Sequence, residues 1–278
     1  MVDQEGRDGV STEGSTPVAL AIAGSDSGGG AGIQADLKAF ASCGVYGTTA
    51  VTAITAQNTM GVEGIEPVSP SMIEAQVEAV VSDIGVDAVK VGMLGTVPTA
   101  IAVAHALGLT GDAPVVVDPV MVAESGAALL DPAAREVLTT EVLPKATVAT
   151  PNIPEARELT GLDEGSGQEE LARAVLRLGP AAVVVTGGHS EEGVDLLLTG
   201  DSVIRIEGDM HPGGASHGSG CTHSSALAAG LARGLDIEQS ARIARRVASR
   251  AVLDGLRDVG AGAGPVDALG IRARSADS

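Results

Sequence analysis

Along the chain, short runs of Val, Ile, Leu and Ala alternate with longer stretches in which apolar residues recur every three or four positions. The runs at 18–24, 47–57, 87–94, 114–121 and 147–150 are predicted strands, and the periodic stretches at 31–42, 71–84, 97–108 and 132–143 are predicted helices. Strands apolar on both faces and separated by helices imply a mostly parallel sheet covered on both sides. Ser69-Pro70 with Ser71-x-x-Glu74, and Asp131-Pro132, mark helix starts, because a proline at the first helical position lacks only an N–H that the helix cannot use. After a helix at 168–178 the rhythm changes. AAVVVTGG (181–188), VDLLLTG (194–200) and SVIRIEG (202–208) follow one another across short Gly- and Asp-containing turns, which predicts a partly antiparallel edge. Helices at 220–233 and 237–257 close the pattern. The second has acids at its start and arginines towards its end, as the helix dipole favours. With no repeat and no long linker, the pattern predicts one α/β domain over 17–270, a disordered acidic tail at 1–16 and a second tail at 271–278.

Composition changes the picture of the core. The 278 residues are 44% hydrophobic, enough for a large core, but Phe40 and Tyr46 are the only aromatics. Ala, Val, Leu and Ile must therefore fill the interior, and small side chains imply closely packed elements. The formal charge of −19 comes from 36 acids against 17 bases, of which only Lys38, Lys90 and Lys145 are lysines. Such a surface repels nucleic acid and anionic lipid, so neither is an expected partner. It is also the surface expected of a protein adapted to concentrated salt, where self-repulsion is screened. Cys43 and Cys221 are far apart in sequence and offer no disulfide framework or cysteine zinc cluster. Together with a polar N-terminal stretch that lacks an apolar h-region, this makes the cytoplasm the expected location.

In doubly wound sheets ligands sit beyond the carboxyl ends of the strands. The residues at those ends form a polar set: Gly24-Ser25-Asp26, Gln57-Asn58, Lys90 with Met93, Asp118, Asn152 with Glu155, and Thr186-Gly187-Gly188-His189. The glycine cluster GSDSGGGAG (24–32) fits neither common phosphate motif. Gly32 is followed by Ile33-Gln34 instead of Lys and a hydroxyl residue, and no register gives G-x-G-x-x-G. A tight strand-to-helix turn and a binding loop both remain open for it. In the second cluster, HPGGASHGSGCTHSSALAAG (211–230), Gly218-Ser219-Gly220-Cys221 precedes a small-residue helix whose first N–H groups form an anion hole. That position should lower the pKa of the Cys221 thiol, though a small buried thiol is an equal reading. Asp118 emerges at a strand end, and Asn152 and Glu155 span a helix start. Their hard oxygens suit Mg²⁺, while capping explains Asn152 and Glu155 as well. His217 and His223 flank Cys221, but no orienting third group is evident, and His223 at i+2 points away from it. His189 follows a strand, where a solvated loop histidine is the expectation and a ligand contact the alternative.

AGSDSGGGAGIQADLKAF, TAQNT (55–59), KVGML (90–94), VVVDPVMVAESG (115–126), TPNIPEA (150–156), VTGGH (185–189) and SHGSGCT (216–222) occur together and in order. Over about residues 17–270 the chain resembles the hydroxymethylpyrimidine/phosphomethylpyrimidine kinases of thiamine biosynthesis, in the ribokinase-like superfamily. The resemblance implies a three-layer α/β sandwich and two successive phosphorylations by ATP, with Mg²⁺ at Asp118 and Glu155. It implies pyrimidine contacts at Gly24, Asp36, Gln57, Met93 and Val120, with Asp36 as a hydrogen-bond acceptor. It places ATP at Asn152, Thr186, Gly188 and Gly220, the anion hole at Gly218, Ser219 and Gly220, and Cys221 as the base for the alcohol step. Dimers are common among such relatives, so a homodimer is expected. The chain departs from the pattern at Glu124 and Thr186, where many relatives have lysine. A pyridoxal or pyridoxine kinase, and a catalytically silent pyrimidine-binding regulator, are the competing expectations.

Overall fold

A computed structural model describes residues 15–188 and 193–276. The tail expected at 1–16 falls almost wholly outside the described residues, as does His189.

Nine strands form one sheet: β1 (Val18–Asp26), β2 (Tyr46–Gln57), β3 (Val62–Pro67), β4 (Ala88–Val91), β5 (Val115–Val117), β6 (Val148–Ala149), β7 (Ala182–Val185), β8 (Asp195–Thr199) and β9 (Ser202–Ile206). Their order across the sheet is β3-β2-β1-β4-β5-β6-β7-β8-β9. The six strands β2, β1, β4, β5, β6 and β7 run parallel. The antiparallel edge expected at β7–β9 is present, and β3 adds a second one against β2. VEGIEP (62–67) gave no strand pattern because its acids, Gly64 and Pro67 carry no alternation; pairing with β2 orders it. The 58–61 turn between them is held by Asn58, whose Oδ1 accepts from the N–H of Met60 at 2.8 Å and of Gly61 at 3.2 Å.

Helices cover both faces. One layer comprises α1 (Gly32–Ser42), α7 (Ser219–Ala232) and α8 (Ile237–Leu253). The other comprises α2 (Pro70–Asp83), α3 (Val97–Ala106), α4 (Pro132–Val137), α5 (Ile153–Thr160) and α6 (Gln168–Leu176). Alternation along β1 divides the core: Leu20 and Ile22 face the α2–α6 layer, whereas Ala19, Ala21 and Ala23 face α1 and α7. The alanine face explains the near-absence of aromatics. It lets α7 lie directly on the sheet with ten of its residues buried. α8 packs as closely on α7, and a Cβ on Gly230 would come within 2.6 Å of Ser240 Oγ.

Pro70 and Pro132 do stand at helix starts, but the preceding Ser69 and Asp131 make no side-chain cap bond. Residues 271–276, expected as tail, form a short helix, α9 (Ile271–Ala276). Among the described residues no helix is long and apolar enough to cross a membrane.

Several parallel strands are shorter than the apolar runs that predict them. β5 stops at Val117: the Asp118 N–H still reaches the Val91 carbonyl at 2.9 Å, but Pro119 has no N–H with which to continue the ladder. The residues so released turn over the carboxyl ends of the strands. The chain leaves β1 for β2 on one side and returns to β4 on the other, opening a crevice where the strand order reverses.

Candidate active site

That crevice holds a cavity of about 450 Å³. Of the residues expected to form a site, Gly24, Gln57, Met93, Asp118, Val120, Asn152, Glu155, Thr186, Gly188, Gly218, Ser219, Gly220 and Cys221 all line it. Asp36 does not.

At the first glycine cluster the chain winds round one carboxylate. Asp26 Oδ1 accepts from the Gly28 N–H at 2.8 Å, and Oδ2 accepts from the N–H groups of Gly30 at 3.0 Å and Ala31 at 2.8 Å. The Gly29 N–H goes to the Asp26 carbonyl at 3.0 Å. Burial works against the Asp26 charge, but a hydrogen bond from His217 and those from the backbone outweigh it and hold the carboxyl below its usual range. The amides of this loop are therefore spent internally and cannot cradle a phosphate.

The second cluster leans on the first. His217 Nε2 lies 3.0 Å from Asp26 Oδ2. Gly218, at φ +87°, passes so close that a Cβ there would sit 1.8 Å from the Gly30 carbonyl oxygen, so glycine is required twice over. α7 then begins. The Ser219 N–H turns back to the Ser216 carbonyl at 3.0 Å, which removes it from the expected anion hole. The N–H groups of Gly220 and Cys221 lie in the first helical turn, where no intrahelical acceptor exists, and both residues border the cavity.

Cys221 corrects the expectation of an acidified thiol. Burial dominates and pushes the group up to about 12. Lys90 pulls it down, but Asp36 and Asp118 push it up again, and the N–H of Gly32 donates to the sulfur. A helix start does not lower a thiol pKa where burial outweighs it and carboxylates share its surroundings.

Asp36 is the second correction. It is fully buried beneath the site, with Oδ1 accepting from Lys90 Nζ at 2.9 Å and from Ser225 Oγ at 2.7 Å. Its Oδ2 is buried without a hydrogen-bond partner, and because Asp36 does not border the cavity, the carboxylate anchors Lys90 instead of meeting a pyrimidine there. Burial opposes the lysine charge, yet Asp36, Cys221 and Asp118 around it keep Lys90 protonated well above its usual range. Asp118 Oδ2 lies 4.0 Å from Lys90 Nζ and accepts from Ser224 Oγ at 2.9 Å.

Asn152 and Glu155 cap α5 and border the cavity at once. Asn152 Oδ1 accepts from the Glu155 N–H at 2.8 Å, and Glu155 Oε2 accepts from the Asn152 N–H at 2.9 Å. Burial first, then the nearby Asp118 charge, pushes the Glu155 carboxyl up to about 8. Thr186 lies beside this cap, its N–H donating to the Pro151 carbonyl at 2.9 Å. On the opposite wall, Thr55 Oγ1 stands 3.0 Å from Gln57 Oε1. Met93, Ala53 and Leu129 form an apolar cluster behind Val120. Glu124 accepts from Ser216 Oγ at 2.7 Å and so joins the 119–131 loop to the loop before α7. Lys90 and Arg245 are the lysine and arginine that line the cavity.

The family description "Phosphomethylpyrimidine kinase" matches residues 26–267. The chain belongs to the phosphomethylpyrimidine kinase family. A hydroxymethylpyrimidine/phosphomethylpyrimidine kinase of Rhizobium meliloti is 48% identical over 257 residues, covering 90% of this chain and 96% of that one. The ADP complex of a Bacillus subtilis pyridoxal kinase superposes with a TM-score of 0.83 at 37% identity, covering 93% of this chain and 99% of that one. A phosphomethylpyrimidine kinase from Clostridium difficile gives 0.73 at 40% identity, covering 82% and 96%. The expected family and the ribokinase-like sandwich are both borne out.

Sequence reasoning missed Asp26 and Asp195 as partners of the two histidines. His217 is oriented by Asp26, and His223 Nε2 lies 2.9 Å from Asp195 Oδ2. Nothing local points to pairs 191 and 28 residues apart. Sheet order alone brings them together.

Proposed function

We propose that this chain is an ATP-dependent kinase that phosphorylates 4-amino-5-hydroxymethyl-2-methylpyrimidine and then its monophosphate, a step of thiamine biosynthesis. The observation that carries the reading is the placement of the open Gly220 and Cys221 amides in one cavity with the wall of Gly24, Gln57, Met93 and Val120. Those amides neutralise charge on the transferring phosphoryl group, while Met93 and Val120 pack on the flat ring and Gln57 bonds to its edge. Asn152, Thr186 and Gly188 border the nucleotide. In each step a substrate oxygen attacks the γ-phosphorus and ADP leaves. The alcohol oxygen also loses its proton, whereas the monophosphate oxygen is already anionic.

Pushed up to about 12, the Cys221 thiol holds its proton near neutral pH and only its minor thiolate form can take the alcohol proton; a loose transition state releases that proton late, so a modest base suffices. The expected outcome is that Cys221→Ala loses about tenfold to a hundredfold in the first phosphorylation and less in the second. Equal losses, measured on each substrate separately, remove the base role.

Asp118 and Glu155 suit Mg²⁺. Burial first, and then repulsion from Asp118, raise Glu155; a cation offsets that repulsion, and both side chains are hard oxygen donors. Among the described residues no group of three or more metal-binding side chains occurs, which fits an ion completed by phosphate oxygens and water. When bound, Mg²⁺ would offset charge on the β- and γ-phosphates.

The same reading includes a cytoplasmic enzyme adapted to concentrated salt, and a homodimer. Exposed Ile54, Met60 and Ile65 around the β2–β3 edge give a second copy an apolar face to cover. The likeness to the Bacillus subtilis enzyme favours pyridoxal kinase as the second reading. Coupled ADP release with the pyrimidine alcohol, its monophosphate and pyridoxal, each in dilute buffer and molar salt, tests the activity, the substrate preference and the salt adaptation. Higher kcat/KM on the two pyrimidines supports the reading, and higher kcat/KM on pyridoxal replaces it. No substrate-dependent ADP release leaves a silent binder.

A further inference from the structure

His223 is a buried titratable group that the phosphoryl transfer does not use. Two residues beyond Cys221, it leaves α7 on another side, towards β8 instead of the anion hole. Its Nε2 meets Asp195 Oδ2 at 2.9 Å, with the two residues only 5% and 1% exposed, while Nδ1 is buried without a hydrogen-bond partner. The other Asp195 oxygen, Oδ1, accepts from the Gly187 N–H at 2.9 Å. Gly187 is the middle of the Thr186–Gly188 turn, and a Cβ there would stand 2.1 Å from the Val194 carbonyl oxygen, so the turn lies hard against the start of β8. Thr186, Gly188, Asp195 and His223 all border the cavity.

We propose that His223 and Asp195 form a positioning pair that locks the Thr186–Gly188 turn to α7, so that the nucleotide wall and the anion hole keep a fixed separation. Resting on the kinase reading, the pair links two walls that must hold one triphosphate. Two hydrogen bonds, Gly187 to Asp195 and Asp195 to His223, run from the turn to the helix that opens with Gly220 and Cys221. A buried carboxylate is tolerated only while both sides are bonded, so removing either partner loosens the other. Phosphoryl transfer depends on alignment, and a shift of the turn by a fraction of an ångström is felt by the nucleotide and not by the pyrimidine wall on β1 and β2.

The test compares His223→Leu, which removes the N–H donor, with His223→Gln, which keeps one. The dissociation constant of ADP is read by calorimetry, with KM for ATP, kcat and the pyrimidine dissociation constant alongside. His223→Leu is expected to raise the ADP constant and the ATP KM about tenfold, the loss of one hydrogen bond to a charged group, with pyrimidine affinity unchanged. His223→Gln is expected to recover most of that loss. Equal weakening of both ligands, a fall in melting temperature alone, or no rescue by Gln overturns the proposal. Should His223→Leu not fold, Asp195→Asn stands in for it. It keeps an acceptor for Gly187 and should raise the ATP KM by a smaller factor; an unchanged KM overturns the proposal. Wild-type protein that binds no ADP overturns the kinase reading itself and the proposal with it. Wild-type activity with an unaffected His223→Leu overturns only the proposal.

Discussion

Two glycine-rich turns lead into helices in this chain, and only one of them is open to a phosphate. In residues 24–32 the amides of Gly28, Gly30 and Ala31 converge on the Asp26 carboxylate. In residues 213–221 the chain uses its glycines to bring α7 up against the first loop, and the Gly220 and Cys221 amides remain for a ligand. Both are rich in glycine and both run into a helix, the first directly from β1 and the second after the 207–218 loop that follows β9. What separates them is whether a side chain within the loop has already taken the donors. An anion hole is thus recognised by its unspent amides, not by its glycines. The two loops also depend on each other, through the pair of His217 with Asp26 and the passage of Gly218 over Gly30.

Gly218→Ala strikes that passage and has the largest expected effect. The added methyl would collide with the Gly30 carbonyl in a conformation that L-residues avoid, costing about 3 kcal/mol in stability. Turnover should fall at least about a thousandfold, because the α7 amides lose their place. Gly220→Ala sharpens the comparison: nothing lies within 4 Å of its Cβ position, so the protein should melt normally and still lose turnover, which calorimetry and kinetics together reveal. Alanine keeps the N–H, so the loss comes from the methyl crowding the phosphate, and full activity would mean that no phosphate lies against Gly220.

Asp26→Ala breaks the first loop instead. Three N–H groups lose their acceptor, and stability should drop by about 2–3 kcal/mol in denaturant unfolding. The sign of the pH effect follows from the depressed Asp26 pKa. Its contribution is fully present above the unfolded value near 3.8 and is lost as pH falls through the lower folded value. Asp26→Asn should therefore flatten the acid limb of the stability curve; an unchanged limb would mean that Asp26 is not the knot.

Much of this was legible beforehand. Strand and helix alternation, the antiparallel β7–β9 edge and most cavity residues follow from the apolar runs and the residues at their ends. Asp36 was misplaced because the resemblance carries QADLK as a whole to the pyrimidine wall, whereas helix α1 turns Asp36 inward onto Lys90. The Cys221 pKa was misjudged because a helix start is local, while the burial of the thiol, and then the charges of Asp36 and Asp118, come from distant segments. β3 carries no alternation of its own and is specified by its neighbour.

A smaller effect concerns Glu155. Raised to about 8, it holds its proton more tightly in the folded protein than at its ordinary 4.5. Stability from this group therefore declines as pH rises from 4.5 to 8, and the penalty is complete above that. At pH 7, Mg-ADP binding should expel up to about one proton, seen as a buffer-dependent heat, and Glu155→Gln should abolish the release. Equal heats in all buffers for the wild-type protein would take Glu155 out of the metal site.

The most direct test follows the backbone amides by nuclear magnetic resonance while Mg²⁺ and a non-hydrolysable ATP analogue are added. The resonances of Gly220 and Cys221 are expected to shift strongly, with those of Gly28, Gly30 and Ala31 nearly still. Large shifts in the first loop with Gly220 and Cys221 unmoved would contradict the assignment of the phosphate to α7.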